Sequence, residues 1–171
     1  MIKLGFCCLV NKWCIYYHKT QTGITFFTIH IDNIISVSSL CEENNLFKSQ
    51  LKNHWDISDL GMAKFTLGIS ISHDCSAYTI SLAQMALINH IVKQFGQSDA
   101  YTMTTPMVQG LHITWPDLSI PVASDVVAWM AHTPYRLLVG LLNYITIITC
   151  PNITFAVSWL STILDCYRPE H

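Results

Sequence analysis

The chain has 171 residues, about one domain's worth; half of it is apolar and only 12% is charged. That much apolar surface excludes disorder as a general state, and 9 Lys and Arg against 11 Asp and Glu exclude a strongly basic nucleic-acid footprint. Seven cysteines, an odd number without a CxxC pair, argue against a disulfide framework and against a zinc site. They read as reduced, small core residues. The start, Met1-Ile2-Lys3-Leu4-Gly5-Phe6, followed by Asn11 and Lys12, makes a poor signal peptide, so an intracellular location, cytoplasmic or nuclear, is expected.

The first third reads as strands. Trp13 to His18 is aromatic and apolar, Gln21-Thr22-Gly23 supplies a turn, and Ile24 to Ile31 is β-branched and aromatic. Ile34 to Ser38 continues as a further strand, which makes a β-hairpin with Asp32 and Asn33 at its tip. Ser39-Leu40-Cys41-Glu42 has capping-box spacing and predicts a helix whose apolar face is Leu46, Phe47, Leu51 and Trp55.

After Asp59-Leu60-Gly61, Phe65 to Ser72 and Ala77 to Ser81 predict a second hairpin around His73-Asp74-Cys75-Ser76. Ser81-Leu82-Ala83-Gln84 is another capping box, opening a helix with Leu87, Ile88, Ile91, Val92 and Phe95 on one face and Gly96 as its stop. Residues 99–132, interrupted by Pro106, Gly110, Pro116 and Pro121, form the candidate linker, with a short helix at Ser124–Ala131. Thr133-Pro134 pairs an N-cap with proline at the first helical position, and Pro151 repeats the device. Two helices, about 134–149 and 151–164, are expected to pack as a hairpin.

Leu137 to Leu164 is 28 residues without a charge, longer than the ~20 a membrane span needs. Cys150-Pro151-Asn152 breaks it midway, and Gly140, Asn143, Ser158 and Ser161 dilute its flanks. Two core helices joined at the proline explain the run better than a membrane hairpin. The five tryptophans, Trp13, Trp55, Trp115, Trp129 and Trp159, could stack on bases but read as packing anchors.

Chemistry concentrates at His30-Ile31-Asp32-Asn33. An acidic residue beside an amide at a hairpin tip is one way of presenting oxygen ligands to a divalent metal, as in the Asp-Asp hairpins of palm-type polymerases. Taken alone, an Asp-Asn pair is far more often just a turn.

The surroundings are more specific. His30-Ile31-Asp32-Asn33, Ile57-Ser58-Asp59-Leu60-Gly61, Phe65-Thr66-Leu67-Gly68-Ile69, Ile80-Ser81-Leu82-Ala83-Gln84, Thr105-Pro106-Met107 and Pro134-Tyr135-Arg136-Leu137-Leu138-Val139-Gly140 follow in order. Thr149-Cys150-Pro151-Asn152-Ile153 and Cys166-Tyr167-Arg168-Pro169-Glu170-His171 continue the series. Together, over nearly the whole chain, they resemble the copia-type reverse transcriptases of LTR retrotransposons.

The resemblance implies an α+β fold: an incomplete polymerase palm with a primer-grip-like hairpin at 1–98, a linker at 99–132, and a truncated thumb- or connection-like helical hairpin at 133–171. It implies RNA-directed DNA polymerase chemistry on an RNA or DNA template-primer and dNTPs, with Mg²⁺ as metal. The family's hairpin reads Tyr/His-Val-Asp-Asp, so Asp32 matches the first catalytic carboxylate and metal ligand, and Asn33 replaces the second. The family's remaining catalytic Asp lies upstream of where this chain starts, and its reverse transcriptase region continues past His171. Where the family has Thr-Arg-Pro-Asp, this chain has Thr149-Cys150-Pro151-Asn152, and between Gln94 and His171 only Arg136 and Arg168 are cationic. With one of three metal-binding carboxylates, the chain is expected not to polymerise by itself. The alternative is a non-catalytic module derived from a retroelement, whose exposed sheet edges and apolar faces self-associate or pair with another polypeptide.

Overall fold

Alternating aromatic and β-branched residues over the first forty positions build a four-stranded antiparallel sheet. Its strands are β1 (Cys7–Leu9), β2 (Lys12–Lys19), β3 (Ile24–His30) and β4 (Asn33–Ser38), in that spatial order. The computed structural model describes residues 5–108, 110–111, 115–117 and 119–169. Side-chain alternation sends Tyr16, Phe27 and Ser36, opposite one another in the register, to one face and Tyr17, Phe26 and Val37 to the other. Helix α1 (Cys41–His54) covers the first face. Phe6, Phe27, Phe47 and Leu51 form its core, with Phe27 4.8 Å from Phe47 in a stacked pair and 4.9 Å from Phe6 edge-on.

Only part of the predicted apolar face of α1 is used. Phe47 and Leu51, one turn apart, are buried, whereas Leu46 and Trp55 lie exposed, because a single helix over a narrow sheet buries one stripe of side chains. The capping box at Ser39 is not formed. The Ser39 hydroxyl instead accepts the Ile24 N–H at 2.9 Å, and Leu40 occupies the cap position without a side-chain bond.

A three-stranded antiparallel sheet follows: β5 (Phe65–Thr66), β6 (Ile69–Asp74) and β7 (Thr79–Ala83). The predicted second hairpin is thus subdivided, since Leu67 and Gly68, both at positive φ (51° and 77°), turn the chain between β5 and β6. Helix α2 (Met85–Gln94) starts three residues later than the capping box at Ser81 implies, because Ser81 is a β7 residue paired with Ser72. Ile91 is its buried residue, and Gly96, at φ 65°, follows its end.

Within residues 99–132 the predicted short helix is present as α3 (Ser124–His132). Thr133 closes α3 rather than capping the next helix, and its hydroxyl donates to the Trp129 carbonyl at 3.0 Å. Helix α4 (Tyr135–Ile148) then meets a 3₁₀ turn (Pro151–Ile153) and helix α5 (Thr154–Ser161). The long uncharged run is therefore two short helices broken at the proline, and among the described residues no helix is long and apolar enough to cross a membrane. Tyr135, Val139, Val157 and Ile163 make their core, the Tyr135 ring stacking on Tyr167 at 4.5 Å. Tyr135 also donates to the Leu160 carbonyl at 3.0 Å, and burial pushes its phenol above the ordinary tyrosine range.

The chain forms two compact units, residues 1–63 and 64–171, each with its own apolar core. The cysteines correct the sequence expectation. All seven are free, but Cys7, Cys14, Cys41 and Cys75 are exposed and Cys8, Cys150 and Cys166 are half-buried. Four tryptophans, Trp13, Trp55, Trp115 and Trp129, are likewise exposed rather than anchoring a core.

Candidate functional site

The β3–β4 hairpin presents the candidate metal ligand. His30 pairs with Asn33, so the connecting residues are Ile31 and Asp32, and Asn33 is the first residue of β4. The tip is one residue earlier than the spacing of Asp32 and Asn33 implies, because the register carries the ladder through Asn33. Ile31 holds φ 53°, a left-handed backbone conformation that glycine ordinarily takes in such two-residue connections. A β-branched residue there is strained by about 1–3 kcal/mol.

Asp32 is exposed at this tip, and among the described residues it makes no hydrogen bond or ion pair. Asn33 and His30 are exposed beside it. Asn33 offers a carbonyl oxygen without charge. No group of three or more His, Cys, Asp or Glu side chains arranged to hold a metal occurs among the described residues.

The most elaborate carboxylate of the same unit lies at the opposite end of β3. Glu43 of α1 accepts hydrogen bonds from the hydroxyls of Thr20 and, at 2.9 Å, Thr22, in the β2–β3 turn. These two bonds, with a smaller contribution from the charge of His18, hold its carboxyl below the ordinary glutamate range. Gly23 sits directly against it: a Cβ there would come within 2.8 Å of Glu43 Oε2 and 2.3 Å of the Ser39 hydroxyl. Seven strand residues separate that turn from the tip, a span of roughly 23 Å at ~3.3 Å per residue. Glu43 thus fastens helix to sheet and lies out of reach of Asp32.

Asp59, in the Ile57-Ser58-Asp59-Leu60-Gly61 motif, is also structural. Its carboxylate accepts the Gly61 N–H at 2.9 Å and the Lys48 ammonium at 3.1 Å, and these hold it below the usual aspartate range. The C-terminal cations are engaged within their own unit: Arg136 pairs with Asp165, and Arg168 donates to the carbonyls of Asp117 and Ile120. Sequence reasoning located Asp32 and Asn33; it missed the strained Ile31 that aims them, for which residue type gives no signal.

Residues 1–109 match the family described as reverse transcriptase (RNA-dependent DNA polymerase). This chain belongs to that family. It is 25% identical, over 92% of its length, to a retrovirus-related Pol polyprotein from the transposon TNT 1-94 of Nicotiana tabacum. A putative transposon Ty5-1 protein of Saccharomyces cerevisiae is 26% identical over 99% of the chain, and an uncharacterized mitochondrial protein of Arabidopsis thaliana is 28% identical over 78%. The chain spans 12% of the tobacco polyprotein and about half of the other two relatives. No solved structure matches it. The mixed α and β architecture with antiparallel sheets is compatible with a retrotransposon reverse transcriptase segment.

Proposed function

We propose that this chain is a retrotransposon-derived reverse transcriptase segment that does not copy nucleic acid by itself. In this reading the four-stranded sheet with α1 is part of a palm, the β5–β7 sheet lies where a primer grip lies, and α4 and α5 are thumb-like. The observation that carries it is the donor set at the β3–β4 tip: one carboxylate, Asp32, beside the neutral amide of Asn33.

A Mg²⁺ pair that activates a 3′ hydroxyl and neutralises a leaving pyrophosphate requires several anionic oxygens around both ions. A single exposed carboxylate dehydrates Mg²⁺ poorly. The residues present therefore do not fit a two-metal centre, and no step is assigned to one. Each ~1.4 kcal/mol of lost transition-state stabilisation costs tenfold in rate, so a deficit of several kcal/mol removes orders of magnitude. Scarcity of cations supports the same reading. A duplex grip making ~6–10 phosphate contacts draws on Lys and Arg, whereas Arg136 and Arg168 are the only ones between Gln94 and His171 and both bind within the fold.

The test is primer extension by the purified chain on an RNA template with a DNA primer, in Mg²⁺ and in Mn²⁺. The expected result is no product above a protein-free control. Extension that disappears in the Asp32→Asn variant would overturn the proposal.

A further inference from the structure

The outer edge of β7 is a self-complementary surface. Ile71 donates its N–H to the Lys64 carbonyl at 2.8 Å, toward the β5 side. In an antiparallel ladder alternate residues point their backbone groups to opposite sides, so Ser70, Ser72 and Asp74 bond β7 through Ala83, Ser81 and Thr79. Ile80 and Leu82 therefore direct their N–H and C=O groups away from the sheet, and among the described residues nothing pairs with them.

Every β7 residue is exposed, Ile80 at 64% and Leu82 at 51%. The usual devices that blunt an edge are missing: the strand has no charge, proline or bulge, and Cys75 to Val92 contains no Asp, Glu, Lys or Arg.

We propose that β7 pairs antiparallel with β7 of a second copy of this chain, about a two-fold axis at Ser81. With Ser81 opposite Ser81 of the other copy, Ile80 faces Leu82 and Thr79 faces Ala83. Residues directly opposite share a face, so the face that carries Ile71, His73, Ile80 and Leu82 continues across both sheets, with Ile80 and Leu82 of one copy adjoining Leu82 and Ile80 of the other. In this register the outward backbone groups of Ile80 and Leu82 meet those of the other copy, and all are satisfied in two reciprocal pairs. A shift of one residue would set these groups opposite Ser81 and Ala83, whose backbone groups point back into their own sheet. A second copy is the occupant because a two-fold contact requires a patch complementary to itself, and this strand provides backbone and side-chain complementarity in one register. The inference is independent of whether the chain catalyses.

The test combines light scattering after size exclusion with cross-linking. Wild type should show a concentration-dependent dimer, and the Ile80→Lys/Leu82→Lys double variant, which sets like charges opposite one another, should dissociate at least about tenfold more readily. Far-UV circular dichroism checks that this variant is folded. Should it unfold, the Ser81→Cys variant decides, since opposed Cα atoms at ~4.5 Å permit a disulfide. Mild oxidation should then yield a peptide joining position 81 of both copies. A wild type that stays monomeric across the micromolar range, a dimer indifferent to the lysine pair, or cross-links that avoid position 81 would overturn the proposal.

Discussion

Ile31 holds the tip of the β3–β4 hairpin at φ 53°, a backbone region that a β-branched residue adopts only under strain. Its side chain is 81% exposed, so packing does not compensate. Replacing it with glycine relieves the strain and sacrifices little burial, at the cost of a more flexible unfolded chain. The Ile31→Gly variant should be more stable by about 1 kcal/mol in a urea titration; a loss of stability would show that the isoleucine makes a contribution of its own.

Glu43 makes a second prediction at this scale. The threonine hydroxyls that bond its carboxylate depress its pKa in the folded state relative to the unfolded one. The stabilisation is therefore present above the unfolded-state pKa and is lost as pH falls through the folded-state value. Denaturation midpoints measured from neutral into acid pH should fall more steeply in the wild type than in Glu43→Gln. Parallel profiles would mean that the three side chains are not coupled in solution.

Among the elements, periodicity reported type well and capping poorly. β2, β3, β4, α2, α4 and α5 follow from the alternation or helical spacing of their apolar residues. The two Ser-led capping boxes failed for a common reason: Ser39 and Ser81 already belong to the sheets, one through its hydroxyl and the other through its backbone ladder. β1 went unrecognised because three residues are too few for alternation to show. Phe27, 1% exposed between Phe6 and Phe47, is the centre of the first core. Phe27→Ala should cost about 3–5 kcal/mol, read by chemical denaturation of the whole chain. A cost below 1 kcal/mol would contradict this packing.

For the molecule as a whole, ancestry was legible where activity depends on charge. Ordered short motifs placed the chain among reverse transcriptases, a placement that the match over residues 1–109 bears out. Asp32 was legible as a hairpin residue, whereas the position of the turn was not, since register rather than composition sets it. The account of function rests on one asymmetry at that tip, an anion followed by a neutral amide. Divalent-metal titration by calorimetry or Mn²⁺ paramagnetic resonance tests it most directly, with Asp32→Asn and Asn33→Asp as comparators. The account predicts no tight Mn²⁺ site in the wild type and a measurable gain in Asn33→Asp, where a second carboxylate adjoins the first. A wild-type site of micromolar affinity that vanishes in Asp32→Asn would contradict it.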